Sequence, residues 1–204
     1  FMVEHKFISS LDYTTQLIGN NDTRFSLVYV RKSGEPYSVT FDGYDDAFAN
    51  DRSDGGYDAA YIPTGASDPN VVFASSAVAD AVMAHVNSSG LSSYKGTIVP
   101  RNAFNSPWNS SLDLRITQDI EVMEGHKVIV YLDITNLLNL IDDDKGIITE
   151  YSNRSRQIEL DRDNPYDSEG RYNIVGVDPD DGLRVYNNNG QSSYQWNLGF
   201  KYQF

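Results

Sequence analysis

The last twelve residues, Ser193-Tyr-Gln-Trp-Asn-Leu-Gly-Phe-Lys-Tyr-Gln-Phe204, decide the fold class. Apolar and aromatic side chains occupy every second position, and polar residues or glycine occupy the positions between them. This period-2 alternation predicts a β-strand with one apolar and one polar face. Aromatic residues near both ends, with Leu198 and Phe200 between them, are the order that a strand crossing a lipid bilayer needs. The predicted lipid-facing side chains are Tyr194, Trp196, Leu198, Phe200, Tyr202 and Phe204.

Four more segments carry a similar alternation. The one that follows Trp108, for example, sets Leu114 and Ile116 against Arg115 and Thr117. Strands in globular proteins are usually about 5–6 residues long, and longer alternating strands suit a tilted crossing of a bilayer better. The five predicted antiparallel strands lie near residues 5–18, 24–40, 108–122, 127–140 and 192–204. Five strands are too few to close a membrane barrel, whose smallest form has about eight, so one curved, open sheet is expected.

The connections between these strands alternate between short and long. Asn20-Asn21-Asp22 and Met123-Glu124-Gly125 are predicted tight turns. Residues 42–107 and 141–191 are acidic and rich in Gly, Asn, Asp and Ser, which predicts long loops, with one short helix near residues 74–86. Short turns on one side and long loops on the other are typical of outer-membrane barrels. The predicted fold is therefore all-β, an antiparallel transmembrane β-barrel segment with long extracellular loops.

The composition is compatible with this fold and excludes some functions. The chain has 204 residues, a net charge of −13 and no cysteine. The acidic balance argues against a nucleic-acid partner, because phosphate binding needs clustered Lys and Arg. The mean hydropathy of −0.46 would by itself indicate a soluble protein. That inference fails for membrane strands, because their lipid-facing and lumen-facing residues alternate and average to near neutral.

Several short motifs occur along the chain in a fixed order. Together with a terminal aromatic strand, they resemble the C-terminal part of Oar-like TonB-dependent outer-membrane receptors. The residues that carry the resemblance are Ser33–Ser38, Tyr61–Pro63, Tyr94–Thr97, Pro100–Asn102, Pro107–Trp108, Leu112–Arg115, Asp133–Asn139 and Phe204.

The resemblance implies a barrel of about 22 strands with a plugged lumen, of which these strands would be the last five. Residues 1–204 would then be the C-terminal part of the barrel, and the plug and N-terminal domains would be absent. The chain starts at Phe1 without a signal peptide, so we expect it to be a piece of a longer protein. The implied function is import of an unidentified ligand across the bacterial outer membrane. The implied partners are outer-membrane lipid and lipopolysaccharide, the rest of the barrel and its plug, and the TonB complex through the absent N-terminal parts.

We expect neither an enzyme nor a cofactor. The sequence has no Gly-x-Ser-x-Gly elbow, no phosphate-binding loop and no metal-binding spacing of its three histidines. Acidic runs at Asp142–Asp144, Asp161–Asp163 and Asp178–Asp181 offer oxygen ligands for Ca²⁺, but none follows the spaced calcium-loop pattern, so solvated turns are the preferred interpretation. The alternative function is a secreted all-β sandwich that binds through acidic, Ca²⁺-dependent loops. Such a sandwich would bury the aromatic face between two sheets.

Parity fixes the register of the hairpin around Gly125. The residues predicted to face the lumen are odd-numbered on both strands. Directly opposed residues share a face, so the numbers of two paired residues must sum to an even value. The turn between the strands must therefore contain an odd number of residues. A three-residue turn sets Val122 opposite His126 and gives two structural charge pairs on the lumen wall, Glu121 with Lys127 and Arg115 with Asp133. A five-residue turn is the rival and would set Arg115 opposite Thr135.

The first hairpin is predicted by the same reasoning. With Asn20-Asn21-Asp22 as a three-residue turn, Tyr13 lies opposite Tyr29 and Leu17 lies opposite Phe25. The charged residues on the inward face admit two interpretations, a substrate path or a polar wall that is paired internally. The polar wall is preferred, because any lumen wall must be polar to face water or a plug.

Overall fold

The computed structural model describes residues 3–42, 58–185 and 191–204. Residues 43–57 and 186–190, which belong to the two predicted loops, lie outside the described residues. The chain divides into two compact units. The sheet unit contains Met2–Gly34, Pro107–Thr149 and Val185–Phe204, and the inserted unit contains Glu35–Ser106 and Glu150–Arg184.

The described chain consists mostly of β-strands, as an all-β fold predicts. The strands are β1 (Lys6–Ile18), β2 (Asn21–Lys32), β3 (Pro36–Asp42), β4 (Val71–Phe73), β5 (Phe104–Asn105), β6 (Asn109–Met123), β7 (His126–Thr135), β8 (Thr149–Tyr151), β9 (Arg154–Leu160), β10 (Tyr172–Val177), β11 (Leu183–Val185) and β12 (Gln195–Gln203). The helices are α1 (Ser76–Ser88), a 3-10 helix (Gly90–Tyr94) and α2 (Leu137–Ile141).

The sheet unit holds the five long strands that the alternation predicts. They form one antiparallel sheet in the order β1-β2-β6-β7-β12. Two predicted strand ends are wrong by five or more residues. The predicted strand over 24–40 ends at Lys32, and residues 36–42 form the separate strand β3 of the inserted unit. The predicted strand over 127–140 ends at Thr135, because Asn136 has a left-handed backbone with φ of 56° and starts α2.

The register predicted for the β6–β7 hairpin is confirmed. Arg115 pairs with Asp133, and Glu121 pairs with Lys127, so the five-residue rival is excluded. Gly125 has φ of 77°, as the turn requires of a glycine. The end of the hairpin differs in detail, because Met123 rather than Val122 pairs with His126. The chain makes a two-residue turn, and a bulge before it accounts for the extra residue.

The register predicted for the β1–β2 hairpin is wrong. Tyr13 pairs with Phe25 rather than with Tyr29. The turn is Gly19-Asn20, where Gly19 has φ of 59°, and a bulge follows Thr15. Glycine supplies the left-handed residue that a two-residue hairpin needs, so the turn begins one residue earlier than predicted and is one residue shorter. The predicted faces of the two strands are nevertheless correct, because the pairing shifts by an even number of residues.

The inserted unit replaces the two predicted loops with a folded structure. Its main sheet has the order β4-β10-β9-β3-β5, in which β3 pairs with β9 and β4 with β10 in parallel, and β8 and β11 form a separate two-stranded ladder. The predicted helix is present as α1, and the hydroxyl of Ser75 caps it by accepting a hydrogen bond from the Val78 N–H.

The hydrophobic core of the described chain lies wholly in the inserted unit. Every buried hydrophobic residue that the structure describes belongs to that unit. Its most buried large side chains are Val39, Ile62, Val82, Val86, Leu91, Val99, Ile158 and Ile174. The sheet unit buries no comparable cluster among its described residues, although its strands are rich in apolar side chains.

Candidate functional site

The register of the sheet unit collects apolar side chains on one face of all five strands. One row runs across the sheet from Leu11 through Leu27, Leu114 and Ile134 to Trp196. The next row on the same face contains Tyr13, Phe25, Ile116, Leu132 and Leu198. We call this surface the apolar face.

The apolar face is exposed, most of all at the two outer strands. Trp196, Leu198 and Phe200 on β12 are 65%, 67% and 77% exposed. Phe7, Leu11, Tyr13 and Leu17 on β1 are about as exposed as these residues. The other predicted lipid-facing residues, Tyr194, Tyr202 and Phe204, are exposed as well, although Tyr194 precedes β12 and Phe204 follows it. On the three inner strands most residues of this face are half-buried.

The opposite face is polar and electrically balanced. It carries six basic and six acidic side chains. The balance contrasts with the net charge of −13 of the whole chain. The charged residues of this polar face are Lys6, Arg24, Lys32, Arg115, Lys127, Lys201, Asp12, Asp22, Asp113, Asp119, Glu121 and Asp133.

Arg115 and Asp133 form the ion pair predicted from the sequence. The Arg115 Nε lies 2.5 Å from Asp133 Oδ1, and Nη2 lies 2.7 Å from Oδ2. This two-point contact fixes the plane of the guanidinium group as well as its position. The same group lies 5.6 Å from the ring centre of Tyr131, and the Tyr131 ring in turn lies against Gly199 of the neighbouring strand. Arg115, Asp133 and Tyr131 thus form one packed group on the polar face.

Lys127 makes a different ion pair from the one expected. It pairs in register with Glu121, but its Nζ lies 3.0 Å from Asp119 Oδ2. Arg24 binds the same carboxylate with two nitrogens, at 3.0 and 3.2 Å, and also contacts Asp22 at 3.0 Å. Asp119 is buried, so it needs more compensation from cations than an exposed carboxylate does. No pattern within a single strand predicts this network, because the contact between Arg24 and Asp119 depends on the register between β2 and β6.

A recess of about 380 Å³ opens at the turn end of the sheet unit, next to this network. Its lining is mostly polar, and it includes carboxylates, one lysine, a histidine and the chain's last two residues. The lining residues are Asn20, Asn21, Asp22, Asp119, Glu121, Gly125, His126, Lys127, Gln203 and Phe204. Asp119 is paired with Arg24 and Lys127, and Asp22 is paired with Arg24, so two of the three side-chain carboxylates of the recess have cation partners.

The acidic runs behave mainly as turns. The carboxylates of Asp142, Asp143 and Asp144 come within 4.8 Å of one another, the only group of this kind among the described residues. Asp142 is paired with Lys145 at 2.8 Å and also accepts a hydrogen bond from the Asp144 N–H. The Asp142 pKa lies below its ordinary value, with the Lys145 hydrogen bond as the main cause. In the same way, Asp161 accepts hydrogen bonds from the backbone that follows it.

Asp68 in the inserted unit is a buried carboxylate that the sequence did not single out. It is 5% exposed and accepts hydrogen bonds from Tyr61, from the backbone and hydroxyl of Thr64 and from the backbone of Asn70. Burial acts to raise the Asp68 pKa, but these hydrogen bonds outweigh it and hold the pKa below its ordinary value. All of these donors belong to residues 61–70, so the Asp68 carboxylate holds that segment together.

The described residues include no helix that is both long and apolar enough to cross a membrane. Comparisons of the chain with known protein families, curated proteins and solved structures found no match.

Proposed function

We propose that the sheet unit forms the last five strands of an outer-membrane β-barrel, and that the barrel belongs to a TonB-dependent transporter of the Oar-like type. The observation that carries the proposal is the apolar face that extends across all five strands and is most exposed on the two outer ones. The opposite face of the same sheet is polar and balanced in charge. On this proposal the protein is a transport protein or receptor in the bacterial outer membrane, and it is not an enzyme.

The apolar face favours lipid as its natural surroundings. Soluble monomers rarely expose contiguous apolar patches beyond about 300–600 Å², and this face includes large side chains from every strand of the sheet. Strand β12 has nine residues, which corresponds to a length of about 30 Å. At the tilt of about 35–45° that is usual in membrane barrels, it spans about 23 Å, close to the apolar band of such barrels.

The polar face and the strand edges support the barrel in two further ways. A lumen wall that contacts a plug must satisfy its charges locally, and both Arg115 with Asp133 and Asp119 with its two cations do so. Strands β1 and β12 lie at the two ends of the described sheet, each with one edge that no described strand occupies. In a barrel these edges pair with the remaining strands, which leaves no edge free.

The transport part of the proposal rests on the resemblance to TonB-dependent receptors. Energised import requires the plug and the N-terminal segment that contacts TonB, so this chain would supply only the late barrel wall. The inserted unit would be its extracellular part, because β2, β6, β7 and β12 connect to it at the ends opposite the two tight turns. A sandwich-type binding module would need a second sheet over Leu198 and Phe200, and the exposure of both side chains disfavours it.

A pair of arginine substitutions on neighbouring residues of β12 tests the membrane part. Leu198→Arg places a charge on the apolar face, and Asn197→Arg places the same charge on the polar face. We expect Leu198→Arg to lower the free energy of unfolding in phospholipid vesicles by about 2–4 kcal/mol, and Asn197→Arg to change it little. Equal effects of the two variants, or a wild-type chain that stays folded and monomeric in buffer without detergent, would contradict the proposal.

A further inference from the structure

A cluster of rings and one guanidinium group lies at the end of the sheet unit opposite the turns. Trp108 stacks on His5 with ring centres 6.2 Å apart and on Phe7 at 6.1 Å. The Arg31 guanidinium carbon lies 5.4 Å from the centre of the Trp108 ring. We call His5, Phe7, Arg31 and Trp108 the Trp108 cluster.

Arg31 is unusual for the face on which it lies. It pairs with Phe7 on one side and with Ser110 on the other, which places it on the apolar face. In the five described strands of this sheet it is the only lysine, arginine, aspartate or glutamate on that face. No carboxylate of the described residues lies within ion-pair distance of it.

The local structure holds the cluster in place. The buried hydroxyl of Ser33 accepts hydrogen bonds from the backbone N–H groups of Glu4 and His5, and the Ser33 N–H donates to the His5 carbonyl. The Glu4 carboxylate lies 3.6 Å from the His5 ring. Arg31 is the one residue among these four whose side chain always carries a positive charge.

The position of the cluster along the strands matches a membrane surface, if the proposed barrel is correct. Two rows of paired residues mark the two ends of the apolar face on β6. Ser110 pairs with Arg31 in one row, and Ile120 pairs with Val128 in the other. Ser110 and Ile120 are ten residues apart, or about 34 Å along the strand. At the usual tilt of about 40° the two rows are about 26 Å apart across the bilayer, close to the height of the apolar band. One row therefore lies at each interface, and the row with Arg31 lies at the loop side.

We propose that the Trp108 cluster is a binding site for the phosphate of an anionic lipid headgroup. A guanidinium group presents two parallel N–H donors to a phosphate, and the adjacent indole ring limits its freedom and excludes water. Trp108 is 43% exposed and brings one more N–H donor to the same place. The Ser110 hydroxyl accepts a hydrogen bond from Tyr29 and keeps its own proton to donate. The acyl chains of the same lipid would lie along the apolar face.

The test compares two cations that are neighbours in sequence and lie on opposite faces. Arg31→Gln removes the cation on the apolar face, and Lys32→Gln, the matched control, removes one on the polar face. A third variant, Arg31→Lys, keeps the charge and loses the planar donor pair. Each chain is mixed with phosphatidylcholine vesicles with and without phosphatidylglycerol, and binding is measured by flotation, with circular dichroism as the check on folding.

We expect wild type and Lys32→Gln to bind the phosphatidylglycerol vesicles more tightly than the phosphatidylcholine vesicles. Arg31→Gln should lose about fivefold of that preference, and Arg31→Lys should lose less. Inorganic phosphate should not displace the vesicles, because the acyl chains contribute to binding. The inference is overturned if Arg31→Gln keeps the wild-type preference, if Lys32→Gln loses as much, or if inorganic phosphate abolishes binding. A wild-type chain that enters neither kind of vesicle would instead contradict the proposed membrane function.

Discussion

Asp68 offers the sharpest test of how the inserted unit is stabilised. Its carboxylate accepts hydrogen bonds from two backbone N–H groups, those of Thr64 at 2.7 Å and Asn70 at 2.8 Å, and from the hydroxyls of Thr64 and Tyr61. Hydroxyl groups can rotate towards other acceptors, but the two backbone N–H groups cannot. An unsatisfied buried donor costs about 1–3 kcal/mol, so Asp68→Ala should lower the free energy of unfolding of this unit by about 3 kcal/mol.

The isosteric variant Asp68→Asn separates hydrogen bonding from packing. Either orientation of its amide turns an NH₂ group towards one of the two backbone N–H donors, so the variant should lose about 2 kcal/mol although its size is unchanged. The loss should also depend on pH. The pKa of Asp68 in the folded chain lies below its ordinary value. The stabilisation by the Asp68 carboxylate is therefore complete above the ordinary pKa, and it disappears as the pH falls through the folded pKa. Wild type should therefore lose stability below about pH 4, and Asp68→Asn should lose less.

The assay can follow the two units separately. Both tryptophans of the chain, Trp108 and Trp196, belong to the sheet unit, so their fluorescence reports on that unit. Hydrogen exchange of peptides around residues 60–75, measured by mass spectrometry across a urea series, reports on the inserted unit. The reasoning is refuted if Asp68→Ala shifts the unfolding free energy of those peptides by less than about 0.5 kcal/mol, the usual range of surface substitutions.

Two glycines of the sheet unit give further predictions. A Cβ at Gly199 would lie 2.5 Å from the Tyr131 hydroxyl, so Gly199→Ala should displace that ring from Arg115. The variant should lower the free energy of unfolding by about 1–3 kcal/mol. In a double-mutant cycle measured by urea unfolding in detergent, Tyr131→Ala should remove most of this loss. Gly125 has open space around it but a φ of 77°. Gly125→Ala should therefore lower the free energy of unfolding by about 1–2 kcal/mol through backbone strain, and Gly125→Asn should lower it less. Equal unfolding midpoints for the two variants would contradict this prediction.

The strands of the sheet unit could be predicted well because each follows from a pattern within its own residues. Period-2 alternation located the five strands, and parity with Gly125 located the pairing of Arg115 with Asp133. The register predicted for the first hairpin is wrong for local reasons as well. Gly19 is the left-handed residue of the turn, and the bulge after Thr15 adds a residue that no side-chain pattern predicts.

The inserted unit could not be predicted in the same way because its pairings are distant. Ser38 on β3 pairs with Arg154 on β9, and neither strand is longer than seven residues. Short strands among Gly, Asp and Asn resemble loops when they are examined alone. The Trp108 cluster and the Arg24–Asp119 ion pair were missed for the same reason, since both depend on which residues of β2 and β6 face each other.

The inserted unit begins and ends each of its two chain segments at neighbouring points. The Ser106 N–H donates to the Glu35 carbonyl at 2.9 Å, and the Ser152 N–H donates to the Gly182 carbonyl at 2.9 Å. A segment whose ends lie this close together can be exchanged for a short turn without stretching the chain on either side. In genetic terms the unit is a cassette that one insertion or deletion in each segment can add to or remove from the chain. Relatives of this protein that differ in length should therefore differ between residues 35 and 106 and between residues 150 and 184, while the spacing of the five long strands stays the same.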